Sequence, residues 1–230
     1  MSVRRAVLFD ALGTLVELVR PWPALVRELA ARGVEVSEEE ARRALLQEMT
    51  YYRAHHDEAS DRERLADLRR RCAAVLREAL PEQARVLGED ELLAALLAAL
   101  EFRPYPEVRE TLARLRAAGT RLVVVSNWDV SLHDVLARTG LAPLLDGAVI
   151  SAELGLAKPD PAIFARALEV GGSVAPTDAL HVGDSLEADI AGARAAGIEA
   201  VLVQREAARP APPGVQVVSS LSGIVDAAAA

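Results

Sequence analysis

Four side chains with reactive chemistry stand at or just past the ends of short runs: Asp10 after RRAVLF, Ser126 closing RLVVVS, Lys158 beyond GAVIS, and Asp184 closing ALHVGD. Two carboxylates, a hydroxyl and an ammonium delivered to one crevice supply a nucleophile, a divalent-cation site, a hydrogen-bond donor and a charge neutraliser. Phosphoryl transfer needs that set. Composition singles out part of it. The chain has one lysine, Lys158, and one asparagine, Asn127, which directly follows Ser126, while arginine carries the rest of the positive charge. A surviving example of a residue type that a bias has otherwise removed is a candidate for a chemical requirement.

The elements that must position these groups follow from periodicity. RRAVLF, RLVVVS, GAVIS, ALHVGD and EAVLVQ are short apolar runs that predict buried strands, with VQVVSS as an edge strand. Between them, PEVRETLARLRAAG, VSLHDVLARTG, DPAIFARALEVGG and EADIAGARAAG carry helical periodicity, with Asp160 as N-cap and Pro161 at the first helical position of the third. Strands alternating with helices give an α/β fold, a parallel sheet with helices on both faces. Ligands of such sheets bind beyond the carboxyl ends of the strands, where the four residues fall. From about Pro21 to Leu100 the pattern is helical only, in about four segments, with Ser37 and Glu40 forming a capping box. The expected organisation is therefore an α/β core over 1–15 and 101–230 with an inserted helical domain over 16–100. EAARPAPPG is expected as a surface loop and the terminal VDAAAA as a fraying helix end.

At 230 residues and 51% hydrophobic content the chain can bury a good core, which excludes disordered and fibrous classes. A net charge of −8 argues against nucleic acid as a partner, because such binding draws on clustered Lys and Arg. A small phosphorylated substrate needs only one local cationic pocket. No run is long enough to span a membrane, and MSVRRAVLFD lacks the pattern of a signal peptide. The lone cysteine, Cys72, excludes an internal disulfide and makes a reducing cytoplasm the expected setting. Homo-oligomer formation is left open.

The segments VLFDALGTL, VVVSN, KPDP and HVGDSLEAD resemble, in order and spacing, the four motifs of the haloacid dehalogenase superfamily, and the resemblance covers nearly the whole chain. It implies a Rossmann-like core with the helical block as an inserted cap. It implies Asp10 as nucleophile, Ser126 as the hydroxyl that binds phosphate, Lys158 as the ammonium that offsets charge and Asp184 as a Mg²⁺ ligand. Asp189 matches the later acidic residue of the fourth motif, in direct or outer contact with the metal. Close carboxylates repel unless a cation lies between them, and Mg²⁺ takes oxygen ligands, which suits Asp10, Asp184 and the backbone carbonyl of Leu12. Gly13 and Thr14 are expected in a tight turn that aims backbone N–H groups at the phosphate, and Asn127 is expected beside it.

The first motif departs from the family's phosphatases at Leu12, where they carry a second aspartate that protonates the leaving oxygen. Three readings stay open: a phosphatase for substrates with good leaving groups or with an acid from elsewhere, a dehalogenase of 2-haloacids, and a weakly active or non-catalytic binder of phosphorylated ligands. Asp129 is the nearest alternative acid, against its plainer reading as a helix cap. Arg42 or Arg43 are the carboxylate-binding candidates of the second reading. Trp128 is placed to contact substrate, whereas Trp22, Tyr51, Tyr52, His55 and His56 read as packing or surface as readily as pocket. His133 and His181 read as packing or capping.

Overall fold

A computed structural model describes residues 4–205 and 213–224. Most of the expected EAARPAPPG loop and all of VDAAAA lie outside the described residues. The chain divides into two compact units, Met1–Glu17 with Pro104–Ala230, and Leu18–Arg103.

The first unit is α/β. Its strands are β1 (Ala6–Phe9), followed after the helical unit by β4 (Arg121–Ser126), β5 (Gly147–Ile150), β6 (Ala179–Gly183), β7 (Glu199–Val203) and β8 (Gln216–Val218). Among the described residues they form one sheet in the order β5-β4-β1-β6-β7-β8, and every pairing is parallel. β2 (Val16–Leu18) and β3 (Phe102–Pro104) make a separate two-stranded sheet where the chain leaves and regains this unit. The helices are α5 (Val108–Ala117), α6 (Leu132–Arg138), the single turn α7 (Ser151–Leu154), α8 (Pro161–Val170), and a π-helical stretch, Leu186–Ala191, that runs into α9 (Gly192–Ala195). Strands covered on both faces are apolar at every position, as AVLF and LVVV show. Ala6, Leu8, Val123, Val125, Ala200 and Leu202 turn one face of the sheet to Ile163, Phe164 and Ala167 of α8. Asp160 caps α8 by accepting the Ala162 amide at 2.8 Å, with Pro161 at its start.

The second unit holds α1 (Pro21–Ala30), α2 (Glu38–His55), α3 (Arg62–Ala79) and α4 (Glu89–Ala99). The Ser37 and Glu40 capping box is present, with reciprocal bonds of 3.2 and 2.8 Å. The buried stripe of α2 is Ala41, Ala44, Leu45 and Glu48, so an acid occupies a position where helical spacing calls for an apolar residue. Cys72 is buried on α3 and takes part in no disulfide.

Candidate active site

The parallel sheet sets the site. Asp10 follows β1, where its amide donates to the Val182 carbonyl of β6 at 2.9 Å, and Ser126 ends β4 beside it. Asp184 follows β6. Lys158 reaches in from the segment between α7 and α8, and its Nζ donates to Asp10 Oδ1 at 2.7 Å and to Asp189 Oδ1 at 2.6 Å. Ser126 Oγ donates to the same Asp10 oxygen at 3.2 Å. Asp10, Ser126, Lys158 and Asp189 are all buried. Ligand atoms of Asp10, Asp184 and Asp189 lie within 4.8 Å of one another.

Electrostatics follow from that crowding. Burial raises the Asp10 pKa, and Lys158 offsets the effect only in part. For Lys158, burial opposes the charge but Asp10 and Asp189 outweigh it, so the ammonium is held more firmly than usual. At Asp189 burial is likewise overcome by Lys158 and His181, leaving its carboxyl well below the ordinary range. Asp184 has no such cation in contact among the described residues. Partial burial, with the charges of Asp10 and Asp189, pushes its pKa up to about 7. Three carboxylates against one ammonium leave an excess of negative charge that a divalent cation would offset, and an all-oxygen donor set suits a hard ion.

Two glycines make the crowding feasible. A Cβ at Gly13 would lie 2.1 Å from Asp184 Oδ2, and the φ of +82° at that position disfavours any other residue. At Gly183 a Cβ would lie 2.1 Å from Asp189 Cγ.

Some expected contacts are spent elsewhere. Asn127 Nδ2 donates to the Lys158 carbonyl at 2.9 Å, and Asn127 Oδ1 accepts the Lys158 amide at 2.7 Å. The sole asparagine thus clamps the backbone of the sole lysine. The Gly13 amide donates to the Val16 carbonyl at 2.8 Å and the Thr14 amide to the Ala11 carbonyl at 3.3 Å. These two N–H groups close the turn, in which the Ala11 carbonyl also gathers the Leu15 and Val16 amides at 2.8 and 2.9 Å. Thr14 Oγ1 is buried without a hydrogen-bond partner among the described residues. Leu12 is 41% exposed and bridges to Val16 through the backbone.

Asp129 is buried and accepts the Ser131 amide at 2.6 Å in the turn just ahead of α6, whose N-cap is Ser131. Trp128 is only 6% exposed, and its amide donates to Ser151 Oγ at 3.1 Å. His133 pairs with Glu153 at the surface. In the helical unit Arg42, Arg43, Tyr51 and His55 share one groove, Arg20 and Arg42 flank the Trp22 ring, and Tyr52 lies against His56.

One site residue escaped the sequence. His181 is fully buried in β6, edge-on to Phe164, with Nε2 3.0 Å from Asp189 Oδ1. The Ser185 amide takes Asp189 Oδ2 at 2.9 Å, so both oxygens of Asp189 are engaged. A histidine in an otherwise apolar strand, one face from a motif aspartate, was the available signal.

With this geometry in view, known proteins give a consistent picture. A family model described as haloacid dehalogenase-like hydrolase matches residues 4–197. The chain is 35% identical to a glyceraldehyde 3-phosphate phosphatase of Methanopyrus kandleri, over 87% of this chain and 84% of that one. A phosphoserine phosphatase of Thermus thermophilus is 40% identical over 57% of this chain and 53% of its own length. The fold superposes on a 2-haloacid dehalogenase of Pseudomonas syringae with a TM-score of 0.67 and 28% identity, covering 100% of both chains. No helix among the described residues is long and apolar enough to cross a membrane. The Asp10, Ser126, Lys158 and Asp184 arrangement, the parallel sheet that carries it and these matches agree that the chain belongs to the haloacid dehalogenase-like hydrolases.

Proposed function

We propose that the chain is a Mg²⁺-dependent phosphatase of small phosphorylated metabolites that works through an aspartyl phosphate on Asp10. The observation that carries this reading is the buried Lys158 ammonium bonded to both Asp10 and Asp189, with Ser126 on the same Asp10 oxygen. Two relatives named as phosphatases of small phosphomonoesters support it. Asp184 supports it too, since a halide leaving group has no use for a third carboxylate in the site.

Asp10, Asp184 and the Leu12 carbonyl would hold the cation. Asp189, with both oxygens occupied, supports Lys158 from outside. When bound, Mg²⁺ supplies charge neutralisation to the phosphoryl oxygens and relieves the repulsion between Asp10 and Asp184. Ser126 and Lys158 fix the Asp10 carboxylate and donate toward the phosphoryl group. A carboxylate oxygen of Asp10 forms the new bond to phosphorus as the bond to the leaving oxygen breaks, and the leaving oxygen keeps the electron pair. Water then attacks the phosphorus, releasing phosphate and restoring Asp10. Leu12 offers no proton to the leaving group, so substrates whose leaving oxygen is already a stable anion are favoured. The helical insertion over 16–100 serves as the cap that selects among substrates, with the cytoplasm as its setting.

The direct test is acid quenching during turnover, followed by mass analysis of the peptide containing Asp10. A phosphoryl adduct on Asp10, absent from Asp10→Asn, is expected. Turnover with no adduct, or an adduct elsewhere, would remove Asp10 as the nucleophile.

A further inference from the structure

The turn after β1 is held from behind by a side chain with no part in the chemistry above. Arg205 follows β7 and has its side chain 15% exposed. Its Nε donates to the Gly13 carbonyl at 3.2 Å and its Nη2 to the Thr14 carbonyl at 2.5 Å. Its Nη1 donates at 2.5 Å to Glu107 Oε1, which also accepts the Leu221 amide at 3.2 Å. The guanidinium lies 3.5 Å from the centroid of the Tyr105 ring. Burial works against the charge of Glu107, but Arg205 and the amides of Glu107 and Leu221 outweigh it, so its carboxyl stays below the ordinary range.

One planar group therefore joins the segments that follow β1, β3, β7 and β8. β6 lies between β1 and β7, so the clasp spans the strand that Asp184 follows. A trans peptide sets each carbonyl opposite the next N–H, so fixing the Gly13 and Thr14 carbonyls also fixes the Thr14 and Leu15 amides that close on Ala11. The same turn is a wall of the acidic cluster, since Gly13 approaches Asp184 Oδ2 too closely to admit a Cβ.

We propose that Arg205 is a positioning residue for the cation site: its grip on the Gly13 and Thr14 carbonyls sets the wall against which Asp184 is held, and with it the affinity for Mg²⁺. This rests on the reading of Asp10 and Asp184 as cation ligands. A guanidinium is required because its planar fork of donors serves two carbonyls and a carboxylate at once while stacking on a ring. An ammonium is a point charge and cannot.

The test is the half-saturating Mg²⁺ concentration, read from the metal-induced rise in melting temperature of the full chain without substrate. Wild type is compared with Arg205→Met and Arg205→Lys, each against its own metal-free melting point. Both variants are expected to need about 10- to 100-fold more Mg²⁺, the range for groups that orient metal ligands from outside. Arg205→Lys keeps a positive charge beside Glu107 and carries the test if the methionine variant does not fold. An unchanged Mg²⁺ requirement in a folded variant, with only a lower melting point, overturns the proposal, because a purely structural staple costs stability alone. Absence of any Mg²⁺ effect on the wild type overturns the cation reading itself, and this proposal with it.

Discussion

Asp10, Asp184 and Asp189 share one short-range cluster with a single ammonium, and much of what can be measured follows from that imbalance. The Asp184 carboxyl, pushed up to about 7, is partly protonated at neutral pH in the metal-free protein. Mg²⁺ needs the carboxylate, so below that pH its binding must expel a proton. The half-saturating Mg²⁺ concentration is expected to fall by up to about tenfold per pH unit from pH 5.5 to 7, then level off. A pH-independent requirement would remove Asp184 as a ligand. Leu12 gives a second prediction. Its side chain is exposed, so an acid is sterically admissible there. Leu12→Asp is expected to raise turnover of alkyl phosphates by about 10²-fold, with little change for aryl phosphates, as restored acid catalysis would give. Equal effects on both substrate types would contradict the account of this position. Asn127 gives a third: Asn127→Ala removes both bonds to the Lys158 backbone and is expected to lower kcat by about 10-fold or more, with a smaller change in KM, because a misplaced ammonium stabilises the transition state less.

Strands and helices were legible where periodicity is long. RLVVVS is β4 residue for residue, and the stretches EDELLAALLAAL and DRERLADLRRRCAAVLREAL became α4 and α3 with only their ends trimmed. β2 and β3, at three residues each, are too short to show alternation. The π-helical stretch 186–191 was read as an ordinary helix, since five-residue and four-residue closures share a similar apolar pattern. Its wider turn brings the Ile190 amide back to the Ser185 carbonyl at 3.1 Å and leaves Asp189 reaching the Ser185 amide and Lys158. The turn at Gly13 and Thr14 was legible from its residue types, but which amides close it was not, because a motif does not fix which way a peptide turns. Within α2, Glu48 is an acid in an apolar stripe, and burial pushes its pKa up to about 7 despite a bond from Cys72. A raised carboxyl favours the folded state while protonated, so this contribution is full below about pH 4.5 and is lost as pH rises through 7. Glu48→Gln is expected to raise the melting temperature at pH 8 by an amount equivalent to about 1–3 kcal/mol, with no gain at pH 5. A gain of equal size at both pH values would mean that the charge is not what strains the helix pair.

For the molecule as a whole, fold and chemistry separate. The fold superposes on a 2-haloacid dehalogenase while the sequence also matches a phosphatase along most of its length, so the architecture alone does not choose between carbon–halogen and phosphate ester bonds. The choice rests on Asp184 beside Asp10, on the paired Lys158, and on the relatives named as phosphatases. The α/β class and the convergence of the four residues were readable from strand ends. Arg205 was not, because it acts on residues 191 and 192 positions away, and His181 was not, because a strand histidine reads as packing until Asp189, eight residues on, folds back against it. The most direct measurement is phosphate release from p-nitrophenyl phosphate, whose leaving group hardly needs a proton and so bypasses Leu12. Wild type and Asp10→Asn are compared with and without Mg²⁺. Turnover that requires both the metal and Asp10 is the predicted result, and turnover that survives the loss of either would contradict the account.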